Sequence, residues 1–294
     1  MFHYQEAFSR NIGWVTDEEQ QKIKKTKVAI GGLGGVGGDH AIVLARLGVG
    51  HFHISDMDEY DYANFNRQAG AFVSTVGKPK SVVMEETLKD INPESTVKNF
   101  NTGISESNLE DFLDGVDIYV DSLDIFVLNI RRKVFQRCYE KGIPAITAAP
   151  MGMGTAFLIF MPGEMTFEDY FCFIDPKGNE SEEKKEQMFA DNIIRFVIGV
   201  SPSLQQRHYL VQRTSVNFLK KKVPSTCMGI SLAAGVLCTN VLKLVLNRGE
   251  IICAPRGAHF DAYRNKLIKT WRPGGNKHPA QKFLFHYLKN LLNQ

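Results

Sequence analysis

The sequence has few cysteines and lacks the cysteine pairs that hold structural zinc. Its 294 residues contain five cysteines, which are spread along the chain without any C-x-x-C pair: Cys138, Cys172, Cys227, Cys238 and Cys253. An odd and widely spaced set of this kind excludes a disulfide framework and a structural zinc site. Free thiols favour a reducing cytoplasm.

The sequence also lacks a large excess of charge of either sign. The 35 Lys and Arg residues face 32 Asp and Glu residues, so the formal net charge is +3, and 44% of the residues are hydrophobic. This balance excludes collagen-like, disordered and strongly nucleic-acid-binding compositions. The chain opens Met1-Phe2-His3-Tyr4, without the basic and apolar regions of a secretory signal, so we expect a cytoplasmic protein.

Long hydrophobic runs that could cross a membrane are not expected either. The stretches 142–163 and 223–242 carry no charge, and at about 20 residues each could nominally span a bilayer. Prolines and glycines interrupt the first stretch, and serine, threonine and asparagine residues interrupt the second. A buried strand and a buried helix are the better interpretations.

In the first half of the chain, strand patterns alternate with helical patterns. We predict strands at 27–30, 51–55, 96–100, 117–120 and 143–147, and helices at 39–47, 76–91, 105–113 and 125–141. Such alternation implies right-handed βαβ crossovers. The predicted fold class is therefore α/β, a Rossmann-like, doubly wound and mainly parallel sheet that continues into an antiparallel or mixed second half.

The pattern changes near residue 150. We predict an ATP-binding region at 1–150 and a substrate-binding and dimerisation region at 151–294. The second region should contain a strand at 155–160, a solvated loop or helix start at 179–187, a buried crossover helix at 230–247, a strand or hairpin at 261–271, and a C-terminal amphipathic helix with Leu284, Leu288, Leu291 and Leu292 on one face. That last helix is expected to dock on its own core; a membrane surface or a partner is the alternative.

A glycine-rich turn between the first strand and the first helix predicts a nucleotide site. Its glycines are Gly32, Gly34, Gly35 and Gly37. Small residues here let backbone N–H groups approach phosphate, and the helix N-terminus adds positive potential. Asp56 ends the second strand, where a carboxylate accepts hydrogen bonds from ribose hydroxyls.

A dense polar cluster after Asp56 favours ATP over NAD. It consists of Asp58, Asn64, Arg67, Gln68 and Lys80. Arg67 and Lys80 can hold a triphosphate, since arginine offers a planar fork to phosphate oxygens. Asp124 follows a later strand, on the carboxyl edge of the sheet, where a carboxylate can hold Mg²⁺ on the phosphates.

At roughly residues 6–160 the chain resembles the ThiF/MoeB/HesA adenylating enzymes, which share their catalytic domain with ubiquitin-activating enzymes. The resemblance rests on segments that occur in the family's order: Phe8-Ser-Arg10-Asn11, Gly32-Leu-Gly-Gly-Val-Gly37, Ser55-Asp-Met-Asp58, Asn64-Phe-Asn-Arg-Gln68, Gly77-Lys-Pro-Lys80 and Asp121-Ser-Leu-Asp124.

The resemblance implies the roles of the site residues. It implies that Asp56 binds ribose, that Asn64, Arg67 and Lys80 hold the phosphates, and that Asp124 organises Mg²⁺ and the attack on the α-phosphate. Arg10 corresponds to the arginine that reaches the partner subunit's ATP site in dimeric members, so a homodimer is implied. Arg10, Arg67, Lys80 and Asp124 are the expected catalytic residues.

The sequence departs from many family members at its cysteines. Without two C-x-x-C pairs no zinc is expected. Cys172 and Cys227 are the candidates for a thioester by their order along the chain, but buried inert thiols are the better interpretation of both. Cys238, in an apolar helix, is expected in the core.

Four functions fit these residues, and the first is the one we favour. It is ATP-dependent adenylation of the C-terminal carboxylate of a ubiquitin-like or sulfur-carrier protein, whose Gly-Gly tail would pass 150–154. The second is a TcdA-like ATP-dependent dehydratase acting on threonylcarbamoyladenosine in transfer RNA, which needs a basic surface. For that surface the chain offers Lys220, Lys221, Lys222, Arg264, Lys266, Lys269 and Arg272, with Tyr263 and Trp271 interleaved. An NAD-dependent oxidoreductase and an inactive binding module are the lesser alternatives.

Overall fold

The computed structural model describes residues 1–216 and 223–292, the side chains of 213, 291 and 292 excepted. Its centre is one eight-stranded sheet with the order β3-β2-β1-β4-β5-β6-β7-β8. The strands are β1 Lys27–Gly31, β2 His51–Ser55, β3 Thr96–Phe100, β4 Ile118–Asp121, β5 Ala145–Met151, β6 Gly154–Phe160, β7 Arg256–Asp261 and β8 Lys266–Trp271.

The sheet is parallel in its first part and antiparallel in its second. Strands β1 to β5 pair in parallel, and β5, β6, β7 and β8 pair in antiparallel fashion. The change occurs at the tight turn between Met151 and Gly154. This architecture confirms the predicted fold class. Because one hydrogen-bonded sheet runs through residue 150, the division into two regions there stays a prediction.

Helices cover both faces of the sheet. They are α1 Tyr4–Ala7, α2 Asp17–Lys25, α3 Gly35–Leu47, α4 Lys80–Ile91, α5 Leu109–Phe112, α6 Leu128–Lys141, α7 Phe167–Phe171, α8 Glu182–Val200, α9 Cys227–Leu246 and α10 Pro279–Leu292.

The two hydrophobic cores follow from the alternation of side chains along each strand. In β1, Val28 and Ile30 join the core formed with α2, α3, α4 and α9, whereas Ala29 joins the core formed with α5 to α8. Successive side chains of a strand point to opposite faces, so one strand supplies both cores. The second core is rich in aromatic rings, including a stacked pair, Phe135 and Phe167, with centroids 4.1 Å apart.

Helix α9 is the predicted buried helix. By length and composition it is the one helix of the described chain that could cross a membrane, and half of its most apolar stretch is buried within the protein. It packs against α2, α3, β5 and β6. Its position is that of a core helix.

Several predicted helix starts are wrong by a few residues. The helix expected from 76 begins at Lys80, because Pro79 stands at its N-cap and 73–75 form a separate 3₁₀ turn. The helix expected at 105–113 is only the single turn α5, and its cap is Asn108 rather than a serine. The helix expected from 125 begins at Leu128, because the Asp124 carboxylate holds the Phe126 N–H in a turn.

The second half agrees with its predictions in outline. The charged run at 179–187 is a helix start, and the Ser181 hydroxyl caps it by accepting from Lys184 N. Strands β7 and β8 form the predicted hairpin. Helix α10 docks on α8, where Gln281 donates to Ile198 O at 2.9 Å. Lysines 220–222 lie outside the described residues.

Candidate active site

The glycine turn links β1 to α3 through contacts that only glycine allows. Gly32 has φ +88°, and a Cβ there would lie 2.4 Å from Ser122 O. A Cβ on Gly37 would lie 1.9 Å from Gly32 O. The turn therefore packs against the loop after β4 and against its own helix. Gly34 and Gly35, half-buried, stand at the first turn of α3.

Asp56 closes the other side of the turn. Its carboxylate accepts hydrogen bonds from Leu33 N at 2.7 Å and from Asp58 N at 2.8 Å. Burial raises the pKa of Asp56, and these backbone donors oppose the rise. The carboxylate thus stands at the end of β2, beside the glycine turn, where the sequence predicts ribose binding.

Lys80 and Asp58 form an ion pair at the start of α4. Lys80 Nζ lies 3.1 Å from Asp58 Oδ2, and the lysine side chain is 7% exposed against 68% for the aspartate. Backbone contact reinforces the pair, because Lys80 N donates to Asp58 O at 2.9 Å. The ammonium group is thereby fixed, while its partner is open to solvent.

The turn at 64–68 brings Arg67 and Gln68 to the glycines. Arg67 Nε lies 3.9 Å from the Cβ position of Gly35, and Gln68 Nε2 lies 3.7 Å from that of Gly34. Arg67 Nη1 donates to Ala63 O at 2.9 Å, which holds the guanidinium in place. Gln68 Oε1 is buried and has no hydrogen-bond partner within the described residues.

Asn64 is placed differently from the other predicted phosphate ligands. Its side-chain oxygen accepts from Asp61 N at 3.1 Å and so closes the 3₁₀ turn that carries Arg67. The amide oxygen is therefore committed to the turn. A role of Asn64 in binding phosphate stays a prediction.

Asp124 lies exposed in the loop after β4, and a buried ion pair holds that loop. Asp124 Oδ1 accepts from Phe126 N at 2.9 Å. Arg131 donates through Nε to Asp121 Oδ2 at 2.9 Å, and the two side chains are 2% and 0% exposed. The same guanidinium also donates to Leu123 O and, at 3.1 Å, to Asp124 O.

The sequence did not predict that one of the two aspartates is buried in an ion pair and the other is exposed. Asp121 and Asp124 form one acidic motif in the sequence, yet Asp121 is structural and Asp124 is free to face a ligand. The signal was an arginine ten residues after Asp121, on the helix that follows the strand. Charged residues are almost never fully buried unless they are paired. An arginine at this spacing can therefore be the partner of a buried aspartate.

A second buried contact joins the same loop to α3. His40 Nδ1 lies 2.8 Å from Ser122 Oγ, and burial lowers the pKa of His40 to about 3. A neutral imidazole therefore ties Ser122 to the second turn of the helix that starts at the glycines. Nothing in the sequence motif singled out His40.

Arg10 does not reach the glycine turn of its own chain. It is exposed in the 3₁₀ turn Ser9–Asn11, whose Asn11 donates to Leu47 O at 3.0 Å, at the C-terminal end of α3. The glycine turn is at the other end of this 13-residue helix, about 20 Å away.

The N-terminus of α9 forms a further wall of the site, and the sequence did not predict it. Asn66 Nδ2 donates to Ser225 O at 3.1 Å, and Thr226 Oγ1 donates to Gly152 O at 2.7 Å. Ile230 Cδ1 lies 3.2 Å from the Cβ position of Gly35. The nucleotide loop, the start of α9 and the β5–β6 turn are therefore contiguous.

The two candidate thioester cysteines differ in their surroundings. Cys227 is the exposed first residue of α9. Cys172 is half-buried at the end of α7, in a left-handed conformation with φ 52°, and its thiol lies 3.1 Å from Asp169 O. The interpretation of both as buried inert thiols is therefore wrong for Cys227. Cys238 lies in the core, as predicted.

Within residues 1–216 and 223–292, no group of three or more His, Cys, Asp or Glu side chains is arranged to hold a metal ion. Asp124 is a single carboxylate, so Mg²⁺ would need oxygens from bound phosphates as well, as is usual for this cation. Binding of Mg²⁺ at Asp124 stays a prediction.

Fold and site together define a doubly wound α/β protein with a glycine turn at the carboxyl edge of its parallel strands, where sheets of this kind bind their ligands. The chain belongs to the ThiF family, whose model matches residues 8–282. This match confirms the resemblance seen in the sequence.

Curated relatives carry two kinds of name. The tRNA threonylcarbamoyladenosine dehydratase of Bacillus subtilis is 38% identical over 142 residues, which are 48% of this chain and 55% of that protein. The sulfur carrier protein ThiS adenylyltransferase of Escherichia coli is 29% identical over 188 residues, 63% of this chain and 71% of that protein. The chain spans about half the length of the dehydratases that it matches.

Solved structures show the same fold. Escherichia coli MccB with AMPCPP and MccA superposes with a TM-score of 0.67 at 21% identity, covering 90% of this chain and 70% of that one. PaaA superposes with a TM-score of 0.66 at 18% identity, covering 91% and 73%.

Proposed function

We propose that this chain is a Mg-ATP-dependent adenylyltransferase that acts in the cytoplasm and activates the C-terminal carboxylate of a small ubiquitin-like or sulfur-carrier protein. The observation that carries the proposal is the convergence of Arg67, Gln68 and the Ser122–Asp124 loop on the glycine turn. A dinucleotide site would need the turn and Asp56 alone. The added cations suit a triphosphate.

The described residues fit ATP by their chemistry. Gly32 and Gly37 keep the turn tight, because a Cβ at either position would clash with the protein's own backbone. Within the described residues, the buried Gln68 amide oxygen beside the turn has no hydrogen-bond partner. Asp56 would hold the ribose, and backbone N–H groups at the start of α3 would meet the phosphates. Arg67 and Lys80 would neutralise their charge.

The reaction is a displacement at the α-phosphorus. The acceptor carboxylate oxygen forms the new P–O bond, the bond to the bridging oxygen breaks, and pyrophosphate leaves with that electron pair. The protein's task is to position both reactants and to stabilise the charge that develops. Asp124 would hold Mg²⁺, which supplies charge neutralisation on the phosphates. Arg131 keeps the Asp124 loop in place through its bonds to Asp121 and to the loop carbonyls.

A homodimer is part of the proposal. Arg10 lies at the far end of α3 from its own glycine turn, so it can act at a site only in a second copy. Mixing inactive Arg10→Ala with inactive Arg67→Ala should restore up to about a quarter of the activity, since random pairing gives half heterodimers with one intact site each. Absence of any recovery on mixing argues against sharing of the site.

A second candidate is the tRNA dehydratase, and the specific observation in its favour is the B. subtilis relative of that name. It would use the same ATP site on a modified nucleoside. Only the acceptor differs between the two candidates.

Exchange of labelled pyrophosphate into ATP tests the proposal. The purified chain is assayed with Mg²⁺ alone, then with a Gly-Gly-terminated carrier protein, then with transfer RNA. Exchange that requires the carrier supports the first candidate. ATP consumption stimulated only by transfer RNA replaces it with the second, and failure of ATP to bind rules out both.

A further inference from the structure

A basic surface with an exposed aromatic ring lies at the turn of the β7–β8 hairpin. We call it the hairpin surface and define it by Arg207, His208, Tyr263, Arg264 and Lys266. Tyr263 is 61% exposed and packs on Tyr209 with ring centroids 4.5 Å apart. Arg264 Nη1 donates to Gln205 Oε1 at 2.5 Å, which fixes the hairpin turn against the segment 205–209.

Two cations of this surface, Arg207 and Lys266, are exposed and Arg264 is half-buried, whereas the neighbouring carboxylate of Asp261 is buried. Asp261 is 2% exposed and accepts from Arg264 N at 2.8 Å. Partial desolvation, followed by the charges of Arg264, Arg207 and Lys266, lowers the pKa of His208. The three cations therefore lie close enough to His208 to act on the same imidazole.

The hairpin surface is continuous with the proposed adenylation site. Tyr209 accepts from Met153 N at 3.0 Å and lies 3.0 Å from Asp261 Oδ2, so it joins the β5–β6 turn to the hairpin. Gly152 of the same turn accepts from Thr226 at the start of α9, which contacts the nucleotide loop. A polypeptide whose tail enters the site past Gly152 would cross the hairpin surface.

The number of charges favours a short acidic segment over a polynucleotide. Among the described residues three cations stand on the hairpin surface, and the net charge of the whole chain is only +3. Nucleic-acid binding proteins typically neutralise about 6–10 phosphates. An acidic peptide needs only a few opposite charges, and side chains at the rim of an interface choose the partner by charge.

We propose that the hairpin surface binds an acidic segment of the acceptor polypeptide, upstream of the carboxylate that becomes adenylated. This inference rests on the proposed function, because it assumes that the acceptor is a polypeptide. It makes Arg207 and Lys266 specificity-determining residues.

Binding of a labelled peptide, measured by fluorescence anisotropy without nucleotide, tests this inference. The probe carries a run of glutamates before a free Gly-Gly carboxylate, and a second probe has glutamines in their place. The full chain should bind the acidic probe, and the double variant R207E/K266E should bind it at least about tenfold more weakly. Added salt should weaken the binding as well.

Lys269→Glu is the charge-matched control for the single variant Lys266→Glu, which should also weaken binding of the acidic probe. The substitution reverses the charge of a lysine on β8, the strand that also carries Lys266. Because the two lysines are three residues apart, their side chains point to opposite faces of the sheet. Lys269 Nζ lies 3.6 Å from Glu250 on its own face. The affinity of K269E for the acidic probe should equal that of the unmodified chain. An equal loss in K269E would mean that overall charge decides, and would overturn the proposal.

Three further outcomes would also overturn it: no binding of the acidic probe, equal binding of the glutamine probe, or tighter binding of an RNA oligonucleotide that R207E/K266E abolishes. Pyrophosphate exchange reports separately on the proposed function. If the chain binds the acidic probe but shows no exchange with any carrier, the proposed function is contradicted. If exchange occurs without selective binding of the acidic probe, only this inference is contradicted.

Discussion

The polar cluster beside the glycine turn, in the proposed nucleotide region, is held by contacts of shorter range than those of the proposed acceptor region. Around the glycine turn, Leu33 N and Asp56 are 23 residues apart, and Lys80 and Asp58 are 22 apart. In the acceptor region, Thr226 and Gly152 are 74 residues apart. Asn66, which joins the two regions, lies 159 residues from Ser225.

The difference follows from the topology. In the parallel part, each strand ends at the same edge and each following loop returns there, so site residues gather at intervals of one βα unit. In the antiparallel part, the edge is completed by the β5–β6 turn, the segment 205–209 and the start of α9. The polar cluster beside the glycine turn thus depends on local segments, whereas the Asp124 loop, tied to His40 across 82 residues, and the second region depend on the completed fold.

The largest effect that separates the regions is expected at Lys80. Lys80→Ala should lower the rate of pyrophosphate exchange by about 10²–10³-fold, because the fixed cation that we propose for phosphate binding is lost. Stability should change little, because the partner Asp58 is 68% exposed and remains hydrated after the substitution.

Lys78→Ala supplies the control for that comparison. Lys78 is an exposed cation two residues earlier in the same loop. Its exchange rate should stay within about twofold of the unmodified chain, since exposed charges are worth little. Equal losses in both variants would mean that Lys80 acts only through the general charge of the loop.

The next largest effect is expected at Arg131. Arg131→Lys keeps the charge but cannot make the planar fork, so it leaves loop carbonyls of Leu123 and Asp124 without their donor. We expect a loss of about 2–4 kcal/mol in the free energy of unfolding, measured by urea denaturation. The rate of pyrophosphate exchange should fall by more than the loss of folded protein accounts for, because the Asp124 loop is no longer held by the guanidinium.

Arg132→Lys is the matched control, one residue along α6. Arg132 pairs with Glu168 and Asp175 at the surface, where its side chain is 21% exposed. The expected loss is at most about 1 kcal/mol, with exchange unchanged. If R131K exchanges pyrophosphate as fast as R132K, then Arg131 stabilises the fold without positioning Asp124.

These contrasts show what the sequence could and could not predict. The parallel sheet, the glycine turn and Asp56 were predictable, because strand ends, small residues and a following carboxylate leave a local pattern. The role of Arg131 was not, because its charge is buried only through packing of α6 on the sheet. Likewise, no local pattern tells that Thr226 meets Gly152, since that contact exists only after the chain returns through α9.

A smaller effect is expected from a substitution at the contact between α9 and the β5–β6 turn, where the two regions meet. Thr226→Val removes the hydroxyl that caps α9 and binds Gly152 O. We expect a loss of about 1–2 kcal/mol in the free energy of unfolding, together with a raised KM for the acceptor and a nearly unchanged KM for ATP. The split would show that the β5–β6 turn serves the acceptor.

Thr239→Val tests the same chemistry away from the junction. Thr239 is exposed in the same helix, and its hydroxyl bonds only to Gly235 O, one turn back. Both KM values should stay unchanged. A rise in the KM for ATP in T226V would contradict the division into two regions, because it would place the cap within the nucleotide site.

The smallest effect concerns the acid sensitivity contributed by two of the buried histidines, His40 in the first region and His259 in the second. Burial lowers the pKa of His40 to about 3 and that of His259 to about 4. Below about pH 6.5 the unfolded chain takes up a proton on each histidine while the folded chain does not, so stability falls as the pH falls. Each histidine contributes a slope of up to about 1.4 kcal/mol per pH unit, which ends near its own folded pKa.

The contribution of His40 should therefore continue to lower the stability of the fold down to a lower pH than the contribution of His259. His40→Asn retains a polar atom for Ser122 but removes the titration, so the free energy of unfolding should depend less steeply on pH between about 6.5 and 3. His259→Asn should flatten the same curve only down to about pH 4, because Asp261 opposes the effect of burial on His259. Urea denaturation across this pH range measures both slopes. If the two variants give the same curve, the two histidines do not differ in their folded pKa, and acid sensitivity does not distinguish the regions.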